Sequence, residues 1–122
     1  MGVAKKGKRK LTVDGRRYLW YIAQDLDAAG MVALNVLSND KRFIVRYYLA
    51  EPVATRHVVV IGAEFAGHTR TGPGWKRYRC PQFGTSSAVI PADVRSLIMW
   101  CHAETSDRHE VDWRGQVVGP AG

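Results

Sequence analysis

Leu11-Thr12-Val13-Asp14-Gly15-Arg16-Arg17-Tyr18-Leu19-Trp20-Tyr21-Ile22 sets Asp-Gly between two β-prone runs. A type I′ turn needs positive φ at both central residues, and Asp-Gly tolerates it, so this stretch predicts a hairpin and a sheet-based fold. On the second run Tyr18, Trp20 and Ile22 share one face, and Leu19 and Tyr21 the other. With large groups on both sides, both faces are expected to be at least partly covered.

Working outward, Gln24 to Gly30 holds two aspartates and a glycine and reads as a connection; Met31 to Leu37 then offers an apolar strand and Ser38-Asn39-Asp40-Lys41 a turn. In the next run Phe43, Val45, Tyr47 and Leu49 alternate with Arg42, Ile44, Arg46 and Tyr48. That period of two predicts a second antiparallel hairpin whose outer face carries two arginines and a tyrosine. His57-Val58-Val59-Val60-Ile61 is short and β-branched, the pattern of a strand buried on both faces, and is expected at the sheet centre. Residues 66–85 are rich in Gly and Pro and predict a long loop, of the kind that in compact domains is functional or disordered. Pro91 suits the first turn of a helix expected to run to Ala103, with Val94, Leu97, Ile98 and Cys101 on one face. Gln116-Val117-Val118 offers a short edge strand. The expected fold is α+β, an antiparallel sheet of about five strands with one C-terminal helix packed on one face.

The chain has 122 residues, enough for one core without metal or disulfide support, and 46% hydrophobic against 24% charged residues places it with globular proteins. Cys80 and Cys101 sit in no disulfide framework and are expected as free thiols. No apolar run approaches a membrane span, and Met1 to Val13 lacks the apolar stretch of a secretory signal, so the expectation is a cytoplasmic protein with no membrane partner. The net charge of +7 is concentrated at the start: Lys5, Lys6, Lys8, Arg9, Lys10, Arg16 and Arg17 face Asp14 alone. Residues 1–9 therefore read as a disordered basic tail and 10–118 as a single domain.

Chemistry-bearing constellations are scarce. Cys80, Cys101, His57, His68, His102 and His109 are the soft or imidazole ligands, without Cys-x-x-Cys or His-x-x-x-His spacing, so no metal and no cofactor is expected. Lys76, Arg77 and Arg79 could lower the pKa of the neighbouring Cys80 thiol, but no partner base is defined and a plain loop cysteine is the simpler reading. Asp25 and Asp27 fall in the connection, and Glu104, Asp107, Glu110 and Asp112 in a polar C-terminal segment, where solvated faces are the default. The chain reads as non-catalytic.

What remains is basic and aromatic. Arg70, Lys76, Arg77 and Arg79 are interleaved with Trp75, Tyr78 and Phe83, and no acid occurs between Glu64 and Asp93. Cations that track phosphates and rings that stack on bases are the ingredients of single-stranded nucleic-acid binding. The expected function is a small binding module for a polyanion, most readily RNA or DNA, through Lys5, Lys6, Lys8, Arg9, Lys10, Arg70, Trp75, Lys76, Arg77, Tyr78 and Arg79. In the plainer reading, Trp75 and Phe83 pin the loop to the sheet while its cations face water. The alternative function is a protein-interaction or assembly module, with a protein partner or a second copy, that uses sheet aromatics such as Tyr47 together with Trp75 and Trp113.

Arg9-Lys10-Leu11-Thr12-Val13-Asp14-Gly15-Arg16-Arg17-Tyr18-Leu19-Trp20, taken with Val89-Ile90-Pro91-Ala92-Asp93-Val94-Arg95-Ser96-Leu97-Ile98, resembles a group of small uncharacterised bacterial proteins. These open on a similar hairpin and end on a Pro-initiated helix. The resemblance implies a prokaryotic source and the same sheet-then-helix order, and it implies no activity.

Overall fold

A computed structural model of the chain describes residues 8–25, 31–52, 54–62, 64, 76–84, 89–103, 109–112 and 116. Six strands, β1 (Arg9–Val13), β2 (Arg16–Asp25), β3 (Met31–Ser38), β4 (Ile44–Tyr48), β5 (His57–Val60) and β6 (Lys76–Arg79), form one antiparallel sheet in chain order; the helix α1 (Pro91–His102) follows. The α+β class is as expected, with six strands where the sequence suggested about five.

The first hairpin turns as its sequence dictates. Asp14 and Gly15 have φ of 51° and 79°, the two positive values of a type I′ turn, and Val13 pairs with Arg16 across it. In the β3–β4 turn the buried Ser38 hydroxyl donates to Asp40 Oδ1 at 2.5 Å and accepts the Phe43 N–H at 3.1 Å, so a polar side chain is satisfied at the edge of the core. Beyond β5, the N–H groups of Ile61 and Gly62 both donate to the Ile44 carbonyl, a bulge that brings residue 62 against the neighbouring backbone. A Cβ at Gly62 would lie 2.5 Å from the Arg42 carbonyl oxygen, so only glycine fits.

The core lies between one sheet face and α1. Tyr18, Trp20, Leu34, Val36, Phe43, Val45, Tyr47, Val58 and Val60 are buried there with Val94, Leu97, Ile98 and Cys101, the helical stripe expected from its spacing. Full burial of each large aliphatic side chain contributes roughly 1.5–3 kcal/mol, which is what holds a three-turn helix that would be marginal in isolation. Pro91 occupies the first turn, and Asp93 Oδ2 accepts the N–H of the cap residue Ile90 at 3.0 Å. The helix ends at His102, one residue before the expected Ala103, which forms the C-cap. Cys80 and Cys101 are buried free thiols.

Four expectations are corrected. Residues 76–79, read as part of the loop, form β6; Lys-Arg-Tyr-Arg has no apolar alternation, and its extended form comes from pairing with β5. With β6 outside it, β5 is second from the edge of the sheet, although all four of its residues are buried as expected. Gln24 and Asp25 extend β2 and Arg9 begins β1, so both elements are longer than the sequence suggested. The outer edge of β6 is bridged at Tyr78 by Glu110, where a strand was expected only from Gln116 on; residues 117 and 118 lie outside the described residues.

Candidate nucleic-acid interface

Register assigns every strand residue to a face, because paired residues point the same way and neighbours alternate. Opposite the helix, three rows cross the sheet: Lys10–Leu19–Leu37–Ile44, Tyr21–Asn35–Arg46–Val59–Arg77, and Ala23–Ala33–Tyr48 continued by His57–Arg79. Thr12 and Arg17 form a further pair on this face, and Lys8 joins it with its ammonium 5.5 Å from the centre of the Tyr21 ring. Lys10, Thr12 and Arg17 are exposed and Leu19, Tyr21, Asn35, Leu37 and Arg46 half-buried, whereas Val59 and His57 are buried. The accessible part of the face is therefore its β1–β4 side.

Two depressions mark that side. One of about 400 Å³ runs between β1 and β2 along Lys10, Leu11, Thr12, Arg17, Tyr18 and Leu19 to Asn39. The other, about 120 Å³, is lined by Tyr21, Ala23, Gln24, Ala33, Asn35 and Arg46. Arg46 Nε donates to Asn35 Oδ1 at 3.0 Å, which fixes both side chains in the middle of the sheet.

Charge is segregated. Asp25, at the end of β2, is the single acidic residue in the six strands, against Arg9, Lys10, Arg16, Arg17, Arg46, Lys76, Arg77 and Arg79. Several of the remaining described acids are committed elsewhere. Arg16 meets Glu64 with two hydrogen bonds of 2.5 and 2.8 Å and reaches Asp40 at 3.1 Å, while Glu64 Oε2 also lies 2.8 Å from His102 Nε2. His102 itself stacks on Phe43, with ring centres 4.8 Å apart. Arg16, then His102, hold the Glu64 carboxyl down to about 2 against the opposing cost of burial. Asp40 is likewise lowered to about 2, first by the Ser38 hydroxyl and the Arg42 N–H and then by Arg16. This cluster ties the first hairpin, the β3–β4 turn, the segment after β5 and the end of α1 together.

The expected site residues divide. Lys8, Lys10, Arg77 and Arg79 belong to the open face. Lys76 and Tyr78 alternate to the helix side, where Lys76 pairs with Glu110 at 3.5 Å and Tyr78 packs against the core; Arg9 lies there too, its guanidinium 5.6 Å from the Trp20 ring. Arg79 donates to the Ala54 carbonyl at 2.9 Å. Lys5, Lys6, Arg70, Trp75 and Trp113 lie outside the described residues. Phe83 is the anchor of the plainer reading: it is buried edge-on to Tyr47, whose hydroxyl accepts the Phe83 N–H at 3.0 Å. Tyr47 is fully buried, so it offers no interface, and the Cys80 thiol is pushed up to about 12 by burial despite its basic neighbours. Arg17, Tyr21, Asn35 and Arg46 were not among the expected site residues. Strand alternation already put Arg46 on an outer face and set Tyr21 on the side away from Tyr18 and Trp20, but only the register brings the two side by side.

No protein-family model, no curated protein and no solved structure matches the chain. No helix among the described residues is long and apolar enough to cross a membrane.

Proposed function

We propose that this chain binds single-stranded nucleic acid across the open β1–β4 face of its sheet, with Lys5, Lys6 and Lys8 adding sequence-independent phosphate contacts. The observation that carries the reading is the combination of Lys8, Lys10, Arg17 and Arg46 around Tyr21, with the Arg16, Glu64, Asp40 and His102 cluster on the other side. A flat basic surface suits a phosphate backbone, and a ring within it supplies a stacking platform that tolerates any base. The half-buried Leu19 and Leu37 give sugars and bases an apolar bed beside the cations.

The test is fluorescence anisotropy with a labelled mixed-sequence single strand and the matching duplex, across a salt series. The proteins are the full chain, a truncation lacking residues 1–7, a Lys8→Ser/Lys10→Ser/Arg17→Ser variant, and Tyr21→Ala. Each lost phosphate contact lowers the single-strand salt slope by about 0.7, so the triple variant should lose about 2. Tyr21→Ala should cost about 1–3 kcal/mol for one stacked base, and Arg95→Ser, exposed on α1, should change nothing. Binding that vanishes with the truncation alone, or a duplex bound as tightly as the single strand, refutes the reading and returns the chain to the protein-interaction or assembly alternative.

A further inference from the structure

The larger depression, about 400 Å³ between β1 and β2, has a lining sorted by charge. Lys10, Thr12, Arg17 and Asn39 form its polar part and Leu11, Tyr18 and Leu19 its apolar part, with no carboxylate among them. Lys10 pairs with Leu19 and Thr12 with Arg17, so Lys10 and Arg17 are diagonal neighbours on one face, about 7–8 Å apart at the backbone. Two long cationic side chains at that spacing can close on one anion held between them. Among the described residues neither has an acidic partner, in contrast to Arg16, held by Glu64 and Asp40, and Lys76, held by Glu110. A cation in an ion pair must release its partner to take a ligand, whereas Lys10 and Arg17 give up only water.

One end of the depression is closed by charge. Thr12 and Arg17 are the last pair on this face before the Asp14-Gly15 turn, and Asn39 is followed by Asp40. The exposed Asp14 and Asp40 carboxylates therefore stand at the hairpin end, and Asp40 is kept ionised by hydrogen bonds from the Ser38 hydroxyl and the Arg42 N–H. At the opposite end the surface stays basic, with Lys8 over the Tyr21 ring. A nucleic-acid strand entering past Lys8 and Tyr21 meets cations as far as Arg17 and carboxylates beyond it, which repel the next phosphate. A strand that ends at Arg17 avoids that repulsion. Its terminal phosphomonoester also carries about −1.5 to −2 charge at pH 7, against about −1 for an internal phosphodiester, and Lys10 and Arg17 together match the larger charge.

We infer that the depression between β1 and β2 seats a terminal phosphate, so that this chain takes single strands by a phosphorylated end. Lys10 and Arg17 supply the charge, and the Thr12 hydroxyl and the Asn39 amide hydrogen-bond the remaining phosphate oxygens. Thr12 and Asn39 can also accept hydrogen bonds, so the selection rests on the two cations and on a lining without a carboxylate. Leu19 and its cross-strand partner Leu37 lie under the last nucleotide. This rests on the nucleic-acid reading above and gives the bound strand an end and a direction.

The experiment uses the full chain and three unlabelled uridine octamers, with a 5′-phosphate, a 3′-phosphate or hydroxyls at both ends, each competing with the labelled single strand at physiological salt. With a single direction along the face, one phosphorylated octamer should compete about tenfold better than the hydroxyl-ended one. The other, of equal total charge, should stay within about twofold of it, and the favoured end gives the direction of the strand. Lys8, Thr12 and Arg17 are exposed, so their variants keep the fold. Thr12→Val removes a hydroxyl without changing charge and should reduce the preference to about threefold. Arg17→Ser should erase it, and Lys8→Ser should weaken all three octamers together and leave it in place. Equal gains at both ends, no gain at either, or a preference that survives Arg17→Ser overturns the terminal seat and leaves generic single-strand binding standing. If no octamer competes even at low salt, the nucleic-acid reading falls with it.

Discussion

Replacing Glu64 with Gln tests the ionic cluster that fixes one side of the fold. The carboxyl is held down from its ordinary 4.5 to about 2, first by the Arg16 hydrogen bonds and then by His102. Taken at face value that displacement corresponds to about 3.4 kcal/mol. The side chains of Glu64 and Arg16 are 32% and 30% exposed, so solvent screening reduces the contribution to about 1–2 kcal/mol. Because the folded carboxyl titrates below its unfolded value, this stability is fully present above about pH 5 and is lost as the pH falls through 4.5 toward 2. Urea unfolding followed by tryptophan fluorescence should show Glu64→Gln less stable by about 1–2 kcal/mol at pH 7, or about 4–8 °C in Tm. The deficit should narrow steadily between pH 5 and pH 3. A double-mutant cycle with Arg16→Gln should return a coupling of the same size. A deficit that is the same at pH 3 and pH 7, or a coupling near zero, would refute the reasoning.

Three further outcomes are expected. Gly62→Ala should cost about 1–3 kcal/mol or more in urea unfolding, because the new Cβ meets the Arg42 oxygen at 2.5 Å and the Ile44 nitrogen at 2.7 Å, both of them backbone. Tyr47→Phe should cost about 1–3 kcal/mol, since it leaves the buried Phe83 N–H without its acceptor while conserving the ring; an unchanged midpoint would show that the bond contributes nothing. Cys80, with its thiol pushed up to about 12, should resist iodoacetamide at pH 8 in the folded protein and react once urea unfolds it; rapid labelling of the native chain at residue 80, located by mass spectrometry, would contradict the assignment.

Much of the candidate interface was legible one strand at a time. Alternation in residues 42–49 put Arg46 and Tyr48 opposite the core, and alternation in residues 18–22 separated Tyr21 from Tyr18 and Trp20, as the structure has them. Their meeting across the sheet was not legible, because it depends on pairing Tyr21 with Asn35 and Asn35 with Arg46. A shift of one residue in either register would carry them to the other face. The Lys76 to Arg79 segment shows the same limit: its charge suggested a binding loop, but strand geometry sends Arg77 and Arg79 to one side and Lys76 and Tyr78 to the other.

By itself the sequence determined the features whose causes are local. Asp14-Gly15 makes the hairpin because the two residues accept positive φ, the Phe43–Leu49 alternation makes a half-buried strand, and Pro91 with the Val94, Leu97, Ile98 and Cys101 stripe makes an amphipathic helix. Tertiary structure alone decided what couples distant parts of the chain. Lys76–Arg79 became a strand because β5 offered it hydrogen-bond partners. Glu64 became an ion-pair centre because folding brought it to Arg16, 48 residues away, and to His102, 38 residues away. Local propensity and periodicity act over a few residues, whereas partner, face and charge neighbourhood are set by contacts that form only when the whole sheet closes on its helix.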